Sequence, residues 1–168
     1  MRAIVLENHK PEWEQLYERE VSVLSRILGD ELVAAHHIGS TAIPGITAKP
    51  IIDILLAVRS IHSVEKYSGQ FESVGYEAKG ELGIKGRRFF QKGGNKRTHH
   101  VHIFEKGSPE ISRHIKFRDL MKENKEKAKD YENLKVALAE KYASDPESYS
   151  RGKTEFIRLV EQEIADNS

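Results

Sequence analysis

The feature that most constrains the fold is the apolar run PIIDILLAV, which occupies residues 50–58. Its apolar continuity predicts a central strand that is buried on both faces, so the sheet that contains it needs cover on each side. A single carboxylate, Asp53, interrupts the run. Burial of an isolated carboxylate is costly unless it is paired or binds a metal. Two interpretations follow: a structural hydrogen-bonded or ion-paired acid, or a metal ligand or general base.

The composition is typical of a soluble globular protein with charged helices. The chain has 168 residues, of which 38% are hydrophobic and 32% charged, and its net charge is +1. This length suits one domain over residues 1–168. The near-neutral charge argues against extended nucleic-acid binding and against an acidic membrane surface, but it is compatible with a small phosphorylated ligand.

The residue usage also predicts the compartment. The chain has no cysteine, which excludes disulfides and thiolate metal sites and suits a reducing environment. No apolar run approaches the roughly 18 residues that span a bilayer, and the first residues lack a signal-peptide pattern. We therefore expect a cytoplasmic protein.

Hydrophobic periodicity predicts an α+β fold, with a small mixed sheet packed with helices and then a helical C-terminal part. The sheet-containing part is expected in residues 1–106 and the helical part in residues 107–168. Strands are predicted at residues 2–6, 32–38, 50–58, 76–82, 87–92 and 97–105. Helices are predicted at residues 11–29, 60–76, 108–142 with a break near Asn124, and 144–168.

Two short motifs could carry chemistry beside Asp53. Gly39-Ser40 at the end of a strand allows backbone N–H groups and a hydroxyl to approach a phosphate, although such a pair is often only a turn. In THHVHIF, His100 and His102 share one face of a strand and could bind a metal together or act as an acid–base pair. The alternative is a half-exposed polar face.

Other histidines near these motifs are assigned by strand alternation. His99 should point away from His100 and lie at the surface. His37 could join the cluster if its strand neighbours that of Asp53, whereas His36 should point the other way.

Basic residues interrupt the apolar stripes of the predicted C-terminal helices. Lys135, Lys153 and Arg118 lie on or beside the inner faces, where they need an anionic partner. A structural ion pair or a snorkelling side chain is one interpretation, and a bound phosphate is the other. Arg87 and Arg88 add two candidates next to a glycine-containing loop, and only one of them can face the site. P-loop, G-x-G-x-x-G, G-x-S-x-G and H-E-x-x-H patterns are absent.

Six blocks spread over nearly the whole chain resemble one family. They are HHIGSTAIPGITAKPIIDILLAV, GIKGRRFFQKG, THHVHIF, IKFRDLM, YENLKVALA and YSRGKTEFI. As a set they resemble the GrpB (UPF0157) family, which is similar in fold to the nucleotidyltransferase superfamily of DNA polymerase beta. In some relatives such a domain is fused to dephospho-CoA kinase. The resemblance implies a nucleotidyltransferase-like sheet followed by a helical segment.

The superfamily pattern carries over only in part. It consists of Gly-Ser, two alternating acids on a strand and a third acid on a later strand, which together hold two divalent metals and a nucleotide triphosphate. Gly39-Ser40 matches the phosphate element and Asp53 matches one acid. The second acid would stand at Ile51 or Leu55, and the third-acid strand offers His100 or His102. One acid with imidazoles suits a single transition metal, or metal-free binding by the histidines, better than two Mg²⁺ ions.

The resemblance therefore implies a nucleotidyltransferase-like protein that binds a nucleotide or another phosphorylated metabolite, with nucleotidyl transfer to an unknown acceptor if it is catalytic. A divalent metal, Mg²⁺, Mn²⁺ or Zn²⁺, is the expected cofactor. The alternatives are a non-catalytic accessory module, linked to coenzyme A metabolism, and a metal-dependent phosphohydrolase. The expected metal or acid–base centre comprises Asp53, His100 and His102, with His37 as a further metal ligand. The expected ligand-binding residues are Gly39, Ser40, Thr41, Lys49, Arg87, Arg118, Lys135 and Lys153.

Overall fold

The structure is a computed structural model that describes residues 3–167, and its centre is one five-stranded mixed sheet. The strands are β1 (Leu32–Ile38), β2 (Ile52–Val58), β3 (Tyr76–Ala78), β4 (Arg88–Lys92) and β5 (His99–Glu105). Their order in the sheet is β1-β2-β5-β4-β3. The β2–β5 pair is parallel and the other pairs are antiparallel, so the predicted mixed sheet and α+β class are confirmed.

Helices cover both faces of this sheet. They are α1 (Glu12–Leu28), α2 (Ser68–Ser73), α3 (Pro109–Glu123), α4 (Lys125–Lys141) and α5 (Pro146–Asp166). Short 3₁₀ segments run over Gly29–Glu31, Ser40–Ala42 and Ile61–Tyr67. None of the helices in residues 3–167 combines the length and the apolar composition that crossing a membrane requires.

Strand β2 shows why its sequence is apolar throughout. Ile54 and Leu56 face the main core, which α1 and α2 complete with side chains such as Phe71. Leu55, on the opposite face, is fully buried with Phe104 in a smaller cluster. Apart from Asp53, every residue of β2 is buried, and this burial is the reason for the apolar run.

The boundaries of the C-terminal helices follow from capping residues. Ser108 accepts a hydrogen bond from the backbone N–H of Glu110, and Pro109 occupies the first helical position. Asn124 ends α3, and its side chain caps α4 by accepting from the N–H of Lys127. The predicted helix start and the predicted break near Asn124 are both confirmed.

Two sequence-based element predictions differ from the structure. Residues 2–6 were expected to form a strand, but Arg2 lies outside the described residues and residues 3–6 form no strand. Ile4 instead donates to the carbonyl of Ala143 at 2.8 Å, so this segment pairs with the loop that follows α4. The helix expected over residues 60–76 begins as a 3₁₀ segment and becomes α-helical only at Ser68.

Candidate functional site

The parallel register of β2 and β5 brings the acid and two histidines together. Asp53 pairs with His100 and Leu55 pairs with His102, so both imidazoles lie on the face that carries the carboxylate. His102 Nε2 lies 3.1 Å from Asp53 Oδ1, and His100 Nδ1 lies 3.4 Å from the same oxygen. The predicted trio is therefore a cluster in space.

Two arginines fix the tautomers of these histidines. Arg87 Nη1 lies 3.3 Å from His102 Nδ1, and Arg97 Nη1 lies 3.3 Å from His100 Nε2. A guanidinium can only donate, so each of these ring nitrogens accepts. The opposite ring nitrogen then carries the hydrogen and donates to Asp53. A chain of hydrogen bonds thus runs from one arginine through both histidines and the carboxylate to the other arginine.

This chain of hydrogen bonds keeps Asp53 ionised. Burial opposes ionisation, but the hydrogen bonds from His100 and His102 outweigh it and hold the pKa of the Asp53 carboxyl well below its ordinary value. A general base works best when its pKa lies near the working pH. The environment of Asp53 therefore favours a permanent negative charge over the role of proton acceptor in a reaction.

The side chains of this cluster do not fit the metal centre that the resemblance implies. Leu55 stands at one of the two positions for a second acid, and it is fully buried in an apolar cluster. Both imidazoles of the cluster have their second nitrogen engaged by an arginine. Across residues 3–167, no group of three His, Asp or Glu side chains is placed to hold a metal ion. We therefore assign no metal ion to these side chains.

The Gly39-Ser40 turn packs directly against Asp53. Gly39 has a φ of +75°, and a Cβ at this position would lie 2.6 Å from Asp53 Oδ2. Glycine is therefore required here both for the backbone conformation and for the close approach. Burial raises the pKa of Tyr131 of α4 and Ser40 opposes that shift, so the turn lies beside the helical part.

Three lysines and two tyrosines lie between the sheet and the C-terminal helices. The ammonium groups of Lys49 and Lys153 each lie 4.9 Å from the centroid of the Tyr149 ring. The ammonium of Lys135 lies 4.9 Å from the centroid of Tyr131. Cation–π contacts of this kind hold an ammonium in place without neutralising its charge.

Lys135 and Lys153 are the unusual members of this group. Lys135 is 1% exposed and donates to the carbonyl of Thr47 at 2.5 Å. Burial, reinforced by the positive charge of Lys153, lowers the pKa of Lys135 to about 7. Burial also lowers the pKa of Lys153, and the charge of Asp53 opposes this shift. Within residues 3–167, neither lysine has a carboxylate at ion-pair distance.

The structure does not bring His37 to this cluster. Strand β1 pairs His37 with Ile54, which places its ring on the opposite face of the sheet from Asp53. There its Nδ1 lies 2.7 Å from Glu14 Oε2 and its Nε2 lies 2.8 Å from Thr41 Oγ1. The predicted metal-ligand position for His37 is wrong because the strand register differs by one residue from the one it needed.

The structure changes three further assignments. His36, which was expected to point away, pairs with Leu55 and so lies on the face of Asp53. Thr41 is 3% exposed and its hydroxyl contacts His37. This hydroxyl is therefore not beside Asp53, where the phosphate-binding prediction required it. His99 is buried beside Glu20, with 3.8 Å between His99 Nε2 and Glu20 Oε2, and is not a surface residue.

Two predicted phosphate-binding arginines have protein partners instead. Arg118 donates to the carbonyl of His37 at 3.0 Å and pairs with Asp119. Arg87 is 7% exposed, and besides its contact with His102 it donates to the carbonyls of residues 81 and 82. Arg87 therefore acts on the acid cluster through His102.

Sequence reasoning missed several residues of the site. Arg97 was missed because strict alternation along the predicted strand at residues 97–105 places it on the face opposite His100, although the two are only three residues apart. Tyr131 and Tyr149 were visible only as members of apolar helical stripes, which do not separate a core aromatic from one that holds a lysine. His114 of α3 has its ring centroid 5.8 Å from that of His102, and burial lowers the pKa of His114 to about 4.

Comparisons with known proteins show what the chain is similar to. A family model for GrpB protein matches residues 3–163. The UPF0157 protein YqkA of Bacillus subtilis is 48% identical over 159 residues, which cover 95% of this chain and 46% of YqkA. The chain thus spans about half the length of that relative.

Two solved structures show the same fold. The crystal structure of the conserved protein GrpB from Enterococcus faecalis is 40% identical, with a TM-score of 0.91 and coverage of 95% of this chain and 96% of the other. The crystal structure of the Cid1 poly(U) polymerase is 13% identical, with a TM-score of 0.52 and coverage of 79% and 42%. The second likeness is one of fold alone, and it supports the nucleotidyltransferase-like architecture.

Replacement of Gly39 by alanine should destabilise the protein through contact with Asp53. A residue with a side chain pays about 1–2 kcal/mol for left-handed backbone, and the overlap adds about 1–3 kcal/mol. Gly45→Ala is the matched control, because Gly45 has a φ of +85° but nothing lies within 4 Å of the point that an added Cβ would occupy. Urea unfolding should show a larger loss for Gly39→Ala, and equal losses would contradict the contact.

Lys135 should make the free energy of unfolding depend on pH. Its pKa is about 7 in the folded state and near the ordinary 10.5 when unfolded, so the unfolded chain binds more protons between these values. Below about pH 7, the buried lysine therefore lowers the free energy of unfolding by its full amount. As pH rises above this value, the loss shrinks by up to about 1.4 kcal/mol per pH unit. Lys135→Met should remove the increase of the unfolding free energy with pH, while Lys125→Met, at an exposed position, should retain it. A Lys135→Met profile parallel to that of the wild type would contradict the shift.

Proposed function

The chain belongs to the GrpB family, and we propose that it binds a nucleotide or another phosphorylated metabolite between the sheet and the C-terminal helices. The observation that carries this proposal is the pair formed by buried Lys135 and partly buried Lys153, which have no carboxylate at ion-pair distance within residues 3–167. The cysteine-free composition suits a reducing compartment, and we place this function in the cytoplasm.

The charges around Lys135 and Lys153 favour the binding of an anion. The positive charge of Lys153 adds to the effect of burial in lowering the pKa of Lys135, and an entering phosphate would oppose that shift. Tyr149 and Tyr131 hold the ammonium groups in position. Little side-chain entropy then remains to be lost on binding, which improves affinity for a rigid anion. The Ser40 hydroxyl adds a polar group at the same place.

Binding of this kind does not require a metal held by the protein. In metal-dependent phosphoryl-binding sites, carboxylates hold divalent ions and these ions contact the phosphate. Here His100 and His102 donate to the one carboxylate, and lysines supply the positive charge. The proposed ligand is therefore held by ammonium groups directly.

Thermal unfolding with inorganic phosphate, AMP and ATP, each in EDTA, tests this function. We expect the melting temperature to rise with at least one of these anions, because a ligand that binds the folded state stabilises it by mass action. Lys135→Met and Lys153→Met should each reduce the rise, whereas Lys125→Met keeps it. An absence of any shift in the wild type, or equal shifts in all the lysine variants, would reject the proposed site.

Nucleotidyl transfer is the second candidate function. The contact between the Gly39-Ser40 turn and Asp53, together with the fold shared with the Cid1 poly(U) polymerase, favours it. The apolar burial of Leu55 disfavours it, because the second acid of the superfamily pattern is absent there. Binding without turnover would suit an accessory module, including one that assists coenzyme A metabolism.

Pyrophosphate release separates the two candidates. With each nucleoside triphosphate and Mg²⁺ or Mn²⁺, we expect binding but no release above that of Asp53→Asn, because one ionised acid cannot replace an acidic pair. Asp119→Asn, which changes an acid of α3 that pairs with Arg118, serves as the matched control. Release by the wild type and by Asp119→Asn, but not by Asp53→Asn, would establish nucleotidyl transfer instead.

A further inference from the structure

We infer that the ligand bound beside Lys135 and Lys153 carries a hydroxyl or amino group, and that Asp53 accepts a hydrogen bond from this group next to the bound phosphate. The ligand class is then a phosphorylated alcohol or amine, in contrast to a phosphate without such a donor. This inference rests on the proposed function and adds a second recognition element to it.

The two oxygens of Asp53 have different surroundings. Oδ1 receives the N–H groups of both His100 and His102. Oδ2 lies against the Gly39 backbone, and no hydrogen bond within residues 3–167 reaches it. The Asp53 side chain is 26% exposed, and Oδ2 is not one of the fully buried, unpartnered polar atoms of residues 3–167, so this oxygen reaches solvent. One carboxylate oxygen is thus fully used and the other is open.

The open oxygen selects what can approach it. An ionised carboxylate only accepts hydrogen bonds. The imidazole donors hold the pKa of Asp53 low, so this oxygen stays an acceptor throughout the neutral pH range. A phosphate oxygen placed against it would be repelled. A hydroxyl or amino group can donate to it, and a hydrogen bond to a charged group is among the stronger kinds.

The open oxygen lies near Lys153 and Tyr131. The charge of Asp53 acts on the pKa values of both Lys153 and Tyr131. Asp53 and Lys153 are nevertheless not at ion-pair distance, so ligand atoms can lie between them. A phosphate at the lysines and a donor group at Asp53 are the complementary charges for this pair. Arg87 and Arg97, which fix the imidazoles, act as positioning residues for the acceptor.

Matched pairs of phosphates, titrated in EDTA, test the inference. Glycerol 3-phosphate and propyl phosphate share a three-carbon chain, but only the first has hydroxyl groups. AMP and 2′,3′-dideoxy-AMP differ in the same way. By isothermal titration of the wild type, we expect the hydroxylated member of at least one pair to bind about 10- to 100-fold more tightly, which is the usual contribution of a hydrogen bond to a charged group.

Asp53→Asn should abolish this discrimination while it keeps the binding of the hydroxyl-free phosphate, because an uncharged amide no longer repels phosphate. Asp119→Asn is the matched control and should discriminate like the wild type. Equal affinities within both pairs for the wild type would overturn the inference and leave the proposed function intact. No binding of any of the four phosphates would reject both. The wild-type comparison decides the matter even if Asp53→Asn does not fold.

Discussion

The backbone hydrogen bonds that pair β2 with β5 in parallel are the constraint on which the rest of this structure depends. Their register sets Asp53 opposite His100 and leaves His102 one pleat further along the same face. A shift of one residue would turn every side chain of one strand to the other face. The carboxylate would then meet Val101, and the cost of burying it would be uncompensated. The apolar residues of both strands hold this register because they must reach the core at the same time.

The charged side chains around this strand pair are stabilised differently on the sheet and on the helices. On the sheet, imidazole N–H groups stabilise the ionised Asp53 and arginines orient the imidazoles. On the helices, tyrosine rings hold Lys135 and Lys153 without supplying a negative charge. Within residues 3–167, this region therefore contains one carboxylate with hydrogen-bond donors beside it, and two lysines, Lys135 and Lys153, with no carboxylate at ion-pair distance. This asymmetry supports our proposal that the missing partner is a phosphorylated ligand.

Local periodicity predicted much of the fold and part of the site. The alternation in THHVHIF placed His100 and His102 on one face, and the helical spacing placed Lys135 and Lys153 on inner faces; both placements agree with the structure. His37 is the instructive failure. Alternation within β1 cannot say which residue of β2 lies opposite it, and that pairing decides whether its ring meets Asp53 or Glu14.

The sequence by itself determined most of the strands and helices and most of the side chains that point inward, because these properties have periods of two or 3.6 residues. Only the tertiary structure decided the partner of each polar group. Asp53 and His102 are 49 residues apart, and Lys135 and the carbonyl of Thr47 are 88 apart. Such contacts depend on strand register and helix placement, which are set by the packing of the whole core. The tertiary structure therefore turned two of the predicted metal ligands, His100 and His102, into donors to a third, Asp53.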